Sequence, residues 1–261
     1  MDTAITPLLA HLDHVDPGGV VGFYLYGSAT AGGLRPHSDL DLLLLTRRTL
    51  ARSERRGLVK LLLSLSGWPG HSVRFPESAD RRPVELTSLV LANDHPWSPP
   101  AWRDFQYGEW LRIDFADGVL PEPSEDPDVP ILLATAIESH LPLRGPGLGD
   151  LIAPVPDAVL RQSMFDLLPG ILEGLSADEG EERHTLLVLA RILVTLETGR
   201  IVPKDEAVDH VAVHLPEPHA LILGHARASY LGEIPDDWSG LADEVGGAAE
   251  YMVALARRHS V

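Results

Sequence analysis

The stretch that most constrains this chain is residues 24–42, YLYGSATAGGLRPHSDLDL. It joins two short apolar runs, VVGFYLY at 20–26 and LDLLLLT at 40–46. Runs this short and this rich in Val, Leu and Tyr read as buried strands. The first ends on Gly27-Ser28, a turn or short helix follows, and Ser38-Asp39-Leu40-Asp41 opens the second. Alternation along a strand sends Asp39 and Asp41 to one face. Two carboxylates so placed repel each other unless a cation lies between them. Hard oxygen ligands suit magnesium, which is typically held by one or two carboxylates together with substrate phosphates. Gly27 lets the backbone come close to a phosphate, and Ser28 offers a hydroxyl and an N–H at the start of a short helix. An isolated Asp-x-Asp is more often the solvated face of a strand. The strand, the Gly-Ser, the ten-residue spacer at 29–38 and the Leu-rich setting together read as a metal and phosphate site.

A third carboxylate lies in RPVELTSLV at 82–90. Residues 83–91 form a credible third strand, and if it pairs beside the second, Glu85 faces the same cleft as Asp39 and Asp41. It then either completes the metal site or takes the proton from an attacking hydroxyl as general base. Taken alone it is an edge-strand Glu. Between these strands, 52–66 has helical spacing, with Leu58, Leu61, Leu62 and Leu65 on one face.

Pro and Gly cluster at 121–130 and 142–156, with one apolar helix expected at 129–140 between them. After about Asp157 the character changes. Segments 158–174, 180–198, 203–214, 216–231 and 241–258 read as amphipathic helices, with Pro203 and Pro216 where helices begin and Gly199 where one ends. The chain of 261 residues is therefore expected to be α+β. Residues 1–153 form a mixed sheet with flanking helices, and 154–261 form an all-helical bundle. A site using both domains would lie in the cleft between them.

Charge and composition narrow the partners. Thirty-eight acids against 21 Lys and Arg give −17, which is hostile to nucleic acid and hospitable to a small polycationic substrate. The absence of Cys excludes disulfides, thiolate metal sites and Cys nucleophiles. The longest apolar run, 251–256, is far short of a membrane span. Asp2, Asp13 and Asp16 near the N-terminus do not read as a signal peptide. A cytoplasmic monomer is the expectation, since no exposed apolar seam stands out.

At the carboxylate constellation the sequence resembles the nucleotidyltransferase superfamily of the DNA polymerase beta type. More narrowly it is similar to the aminoglycoside (3″)(9) adenylyltransferases, which modify streptomycin and spectinomycin. The likeness runs from about residue 20 to 235. It is carried by QYGEWLR at 106–112, DLIAPVP at 150–156, ERH at 182–184, LARI at 189–192, TGRIVPKD at 198–205 and ARASYLG at 226–232. The resemblance implies that Asp39, Asp41 and Glu85 hold magnesium, two ions in all, with Glu85 as the base. It implies that Ser28 and Ser38 contact the phosphates and that Arg191, Lys204 and Tyr230 clamp ATP, the co-substrate. Trp110, Glu181 and His184 would face the antibiotic, and ATP would pre-form the drug site by closing the cleft. Read without the resemblance, these last six are ordinary helix charges and packing aromatics. One of them leans the other way, because a Lys at 204 in a first helical turn opposes the helix dipole.

The chain departs from the family in one informative place. Members that accept both drugs carry a Trp and an Asp before the Glu-Arg-His segment, and read without gaps these positions fall on Leu172 and Ala177. A small slip would bring in Asp178, but no Trp lies between Trp110 and Trp238. The Asp usual before Glu182 is Glu181, which keeps the charge at longer reach. Members restricted to spectinomycin lack the same pair. The expected reaction is therefore transfer of AMP from ATP to the 9-hydroxyl of spectinomycin, with streptomycin 3″ transfer weak or absent. The rival readings are a dual streptomycin and spectinomycin adenylyltransferase and a nucleotidyltransferase with another acceptor.

Overall fold

The computed structural model describes residues 3–30, 33, 38–177 and 180–259. It divides into two compact units, one running to Val155 and the other starting at Pro156.

The N-terminal unit begins with α1 (Ile5–Val15), then β1 (Val20–Tyr26), β2 (Leu40–Thr46), α2 (Arg52–Leu65) and β3 (Val84–Val90). It continues through β4 (Trp102–Arg103), β5 (Phe105–Tyr107), α3 (Arg112–Ala116), β6 (Ser124–Glu125), α4 (Val129–Glu138) and β7 (His140–Arg144). Five strands form one mixed sheet in the order β5-β3-β2-β1-β7, and β4 pairs with β6 as a separate ribbon. Only β2 and β3 run parallel; every other neighbouring pair is antiparallel. Leu42, Leu43, Leu44 and Leu45 are all fully buried, because both faces of β2 are covered. That is why the strand reads as a continuous Leu run and not as an alternation. On one face, Phe23, Leu42, Leu44, Leu86 and Phe105 pack with Leu8 and Leu12 of α1 and Leu58 and Leu62 of α2.

The strands and α2 fall within a residue or two of the expected limits. The helix expected at 129–140 stops at Glu138, since Ser139 is extended and His140 enters β7 beside Tyr26. Pro142 sits in that strand without cost to the ladder, because β7 is an edge strand. The first helix and the short strands β5 and β7 had no clear sequence signal: two strands of five residues or fewer are placed by pairing with neighbours already formed.

The edge strand β5 is pinned by buried polar contacts. Glu109 Oε1 accepts from Ser66 Oγ at 2.6 Å, Tyr107 Oη at 3.1 Å and Arg112 Nη1 at 3.1 Å. The Glu109 Oε2 faces His71 Nδ1 at 3.1 Å. Tyr107 also stacks on Phe115, centroids 5.3 Å apart and nearly coplanar at 5°. A carboxylate this deep is tolerable only because several donors replace its water.

The C-terminal unit is all helical: α5 (Asp157–Ala177), α6 (Glu182–Thr198), α7 (Lys204–Ala212), α8 (Glu217–Leu231) and α9 (Ala242–Arg257). Helix α6 is the hub, packed by each of the other four. Its buried residues, among them Leu186, Leu187, Leu189, Ile192, Leu193 and Leu196, cover more than one face, as a central helix requires. Gly199 ends it in the left-handed conformation at φ 72°, and Pro203 and Pro216 directly precede α7 and α8. Among the described residues no helix is long and apolar enough to cross a membrane.

The start of α2 carries a testable electrostatic contribution. Glu54 takes two hydrogen bonds from Arg48, at 2.8 and 2.9 Å, and accepts from the N–H groups of Ala51 and Gly18. Arg48 foremost, with those backbone donors, holds the Glu54 carboxyl down at about 2 against the opposing effect of burial. A depressed carboxylate adds stability above its unfolded pKa and loses it as pH falls through the folded value. Glu54→Gln should therefore cost about 1–2 kcal/mol at pH 7, the exposed Arg48 limiting the effect. That difference from the parent should shrink as pH falls from about 4.5 towards about 2, read by urea unfolding along a pH series.

Candidate active site

The parallel pairing of β2 with β3 sets Asp41 directly opposite Glu85. Both lie at the N-terminal ends of their strands, on the face opposite Leu40, Leu42, Val84 and Leu86. The cover over that face runs out there, so both side chains are half-buried while their strand neighbours are buried. Asp39 immediately precedes β2 and is half-buried as well. The Glu85 carboxyl is raised well above its ordinary range, by loss of water first and then by the charges of Asp41, Asp39 and Asp128. A hydrogen bond from Gln106 Nε2 to Glu85 Oε1, 3.2 Å, opposes that shift.

Gly27 closes the site from β1. It sits at φ 67°, and a Cβ there would stand 2.1 Å from Asp41 Oδ2. Only glycine lets the chain turn this tightly against the carboxylate. The segment after it is one 3-10 turn, Gly27–Ala29, so Ser28 starts no α-helix and any phosphate contact it makes lacks a macrodipole. Ser38 is buried at 5% exposure, and its carbonyl accepts from Arg82 Nη1 at 2.6 Å. Trp110 follows β5 in a 3-10 turn and keeps 56% of its surface exposed, which leaves a large ring available to a ligand.

The donors at this end of the sheet are carboxylate oxygens, the set a hard divalent cation prefers, and their mutual repulsion is what such an ion relieves. Among the described residues no three His, Asp or Glu side chains form a ready-made ligand cluster. The arrangement thus fits magnesium in its usual mode, with few protein carboxylates and the remaining positions left to phosphate and water.

The helical unit gathers a second set. Lys204 is the first residue of α7, and its Nζ lies 5.9 Å from the ring centre of Tyr230, near the end of α8 and 7% exposed. His184, in the first turn of α6, is exposed, yet its pKa is lowered. The exposed ring keeps its contact with water, so the charges of Lys204, Arg183 and Arg191, and not burial, are the physical cause. His184 is therefore a neutral group beside three cations. Arg183 pairs with Asp236 at 2.7 Å. Glu181 is the residue before α6, and its carbonyl accepts from Thr185 N–H at 2.8 Å. Leu172 lies half-buried in α5. Ala177 is the last residue of that helix, and Asp178 lies outside the described residues.

Each unit thus brings its own candidates together: Gly27, Asp41 and Glu85 in one, His184, Arg191, Lys204 and Tyr230 in the other. Two residues had no assigned role in the sequence. Gln106 stood inside a quoted motif, and strand alternation from Phe105 and Tyr107 is the signal that could have turned it to the carboxylates. Arg82 had no such signal.

Residues 150–255 match the family model described as the aminoglycoside adenylyltransferase C-terminal domain. Spectinomycin 9-adenylyltransferase of Staphylococcus aureus is 39% identical over 233 residues, covering 89% of this chain and 86% of that protein. Aminoglycoside (3'') (9) adenylyltransferase of Escherichia coli is 37% identical over 242 residues, covering 92% and 88%. The solved structure of spectinomycin adenyltransferase AAD(9) from Enterococcus faecialis with ATP and spectinomycin superposes with a TM-score of 0.86 at 27% identity, covering 97% of each chain. With relatives this similar along nearly its whole length, the chain belongs to the aminoglycoside adenylyltransferase family.

Proposed function

We propose that this enzyme transfers AMP from ATP to the 9-hydroxyl of spectinomycin and so confers resistance to it. The observation that carries the reading is the in-register pair Asp41 and Glu85, with Gly27 cleared for close approach, in a chain whose relatives bear spectinomycin 9-adenylyltransferase names. ATP and spectinomycin are the ligands named for the AAD(9) structure.

In this reading Glu85 takes the proton of the drug hydroxyl. Its pKa, raised by loss of water and then by the neighbouring acids, makes it a stronger proton acceptor than an ordinary carboxylate. The freed oxygen forms a bond to the α-phosphorus as the bond to the bridging oxygen breaks, and pyrophosphate leaves. Asp39, Asp41 and Glu85 would hold magnesium, two ions in all, whose charge would offset that gathering on the phosphates. Gly27, Ser28 and Ser38 contact the phosphates from the sheet unit. Arg191, Lys204 and Tyr230 hold the nucleotide from the helical unit, adding fixed positive charge. Trp110, Glu181 and neutral His184 receive the drug, whose amines favour an acidic protein of net charge −17. We further propose a cytoplasmic monomer with no nucleic acid partner and a domain boundary at 153/154.

Specificity follows from α5. With Leu172 and Ala177 in place of the Trp and Asp of dual-substrate members, nothing at those positions offers an aromatic face or a charge to streptomycin.

Pyrophosphate release from Mg-ATP, with ATP binding and urea unfolding beside it, tests the reading. Asp41→Asn should abolish transfer to spectinomycin, and Glu85→Gln should lower kcat by about 10²–10⁴-fold while sparing ATP binding; turnover retained in Asp41→Asn removes the metal assignment. Gly27→Ala should fold with a cost of about 1–3 kcal/mol and lose at least about tenfold in kcat/KM for ATP, because the Cβ displaces Asp41. The parent should turn over spectinomycin and not streptomycin, and Leu172→Trp combined with Ala177→Asp should introduce streptomycin turnover. Equal parental turnover of both drugs would end the specificity reading.

A further inference from the structure

We infer that Gln106 is a positioning residue that sets the plane of the Glu85 carboxylate for proton abstraction, an inference that rests on the reading of Glu85 as base. Its amide Nε2 donates to Glu85 Oε1 at 3.2 Å. The amide nitrogen is the donor in this contact and the carboxyl oxygen the acceptor. Gln106 pairs with Thr87 across the β3–β5 ladder, which makes it the diagonal neighbour of Glu85 on the same face.

The strand that carries Gln106 is held unusually firmly for an edge of three residues. Phe105 and Tyr107, on either side, are buried in the core on the opposite face of the sheet. Tyr107 stacks on Phe115, and its hydroxyl is bound into the Glu109–Arg112 network. A one-residue slip of β5 would put Gln106 into the core and two aromatic rings on the carboxylates, so its register is strongly specified. The amide therefore reaches Glu85 from a fixed platform. The carboxylate of a Glu turns freely about its last bond when unheld. One donor from a fixed strand restricts that turn, and a base gains from being held in the productive orientation before the substrate arrives.

The test is steady-state kinetics of spectinomycin adenylylation on the full chain, with thermal melting as the check on folding. Gln106→Met keeps the length of the side chain and removes the donor. It should lower kcat about 10- to 100-fold with KM for ATP and spectinomycin within about twofold of the parent. Glu85→Gln with Gln106→Met should be no slower than Glu85→Gln alone, because the amide acts only through that carboxylate. Parental kcat in folded Gln106→Met, a rise in KM for ATP matching the loss in kcat, or losses that multiply in the double variant would each overturn the inference. Gln106→Glu, similar in shape and without the amide donor, is the second variant should Gln106→Met not fold, and parental kcat there overturns it equally. A Glu85→Gln enzyme with parental kcat would instead remove the base assignment itself.

Discussion

The parallel ladder between β2 and β3 is the contact on which the chemistry of this protein depends. It sets Asp41 against Glu85 at the point where the cover over a fully buried strand ends. Burial of Leu42 to Leu45 on both faces makes the register hard to shift, because a slip of one residue would carry a carboxylate inward along the strand. The same hydrophobic driving force that forms the sheet therefore fixes the distance between the acids. Like charges would not gather there unaided, and the pKa of Glu85 is raised by loss of water first and then by Asp41, Asp39 and Asp128. The crowding is tolerable because the strand ends meet water, and because a divalent cation and its phosphates suit such a place.

Around that ladder the structure uses rigidity where position matters. Gly27 gives the turn out of β1 a conformation that brings backbone against Asp41. On the other side, a three-residue edge strand would be a weak platform by itself. The Glu109 carboxylate with its donors from Ser66, Tyr107 and Arg112 turns it into a firm one. Buried ion pairs of this kind seldom add net stability over apolar packing, but their directional bonds define one arrangement. Here that arrangement aims Gln106 at Glu85 and carries Trp110 just beyond β5.

The helical unit follows a different logic. Helix α6 is apolar around most of its girth, with polar groups in its first and last turns and at Arg191. Lys204 over the Tyr230 ring and Arg191 bring two cations towards His184, while Arg183 beside them is paired with Asp236, in a chain of net charge −17. Such a concentration against the overall charge suits a polyanionic ligand such as a triphosphate.

Much of this was legible in the amino-acid sequence. The three long strands, α2 and the five C-terminal helices announce themselves by period and by Gly and Pro punctuation, since those signals are local. Strand alternation gives the face of Asp41, whereas Glu85 shares its cleft because β3 pairs beside β2 and Asp39 lies just ahead of the strand. The resemblance extended the reading to Arg191, Lys204, Tyr230 and Trp110, which no local signal singles out. Helix α1 and the short strands β5 and β7 escaped, because brief segments take their conformation from partners distant in the chain. For that reason only the tertiary structure decided that Gln106 reaches Glu85, that a Cβ on Gly27 would strike Asp41, and that His184 sits among three cations. The sequence by itself determined which groups are present and which way each strand turns them; distances between groups far apart in the chain exist only once the sheet and the bundle have closed.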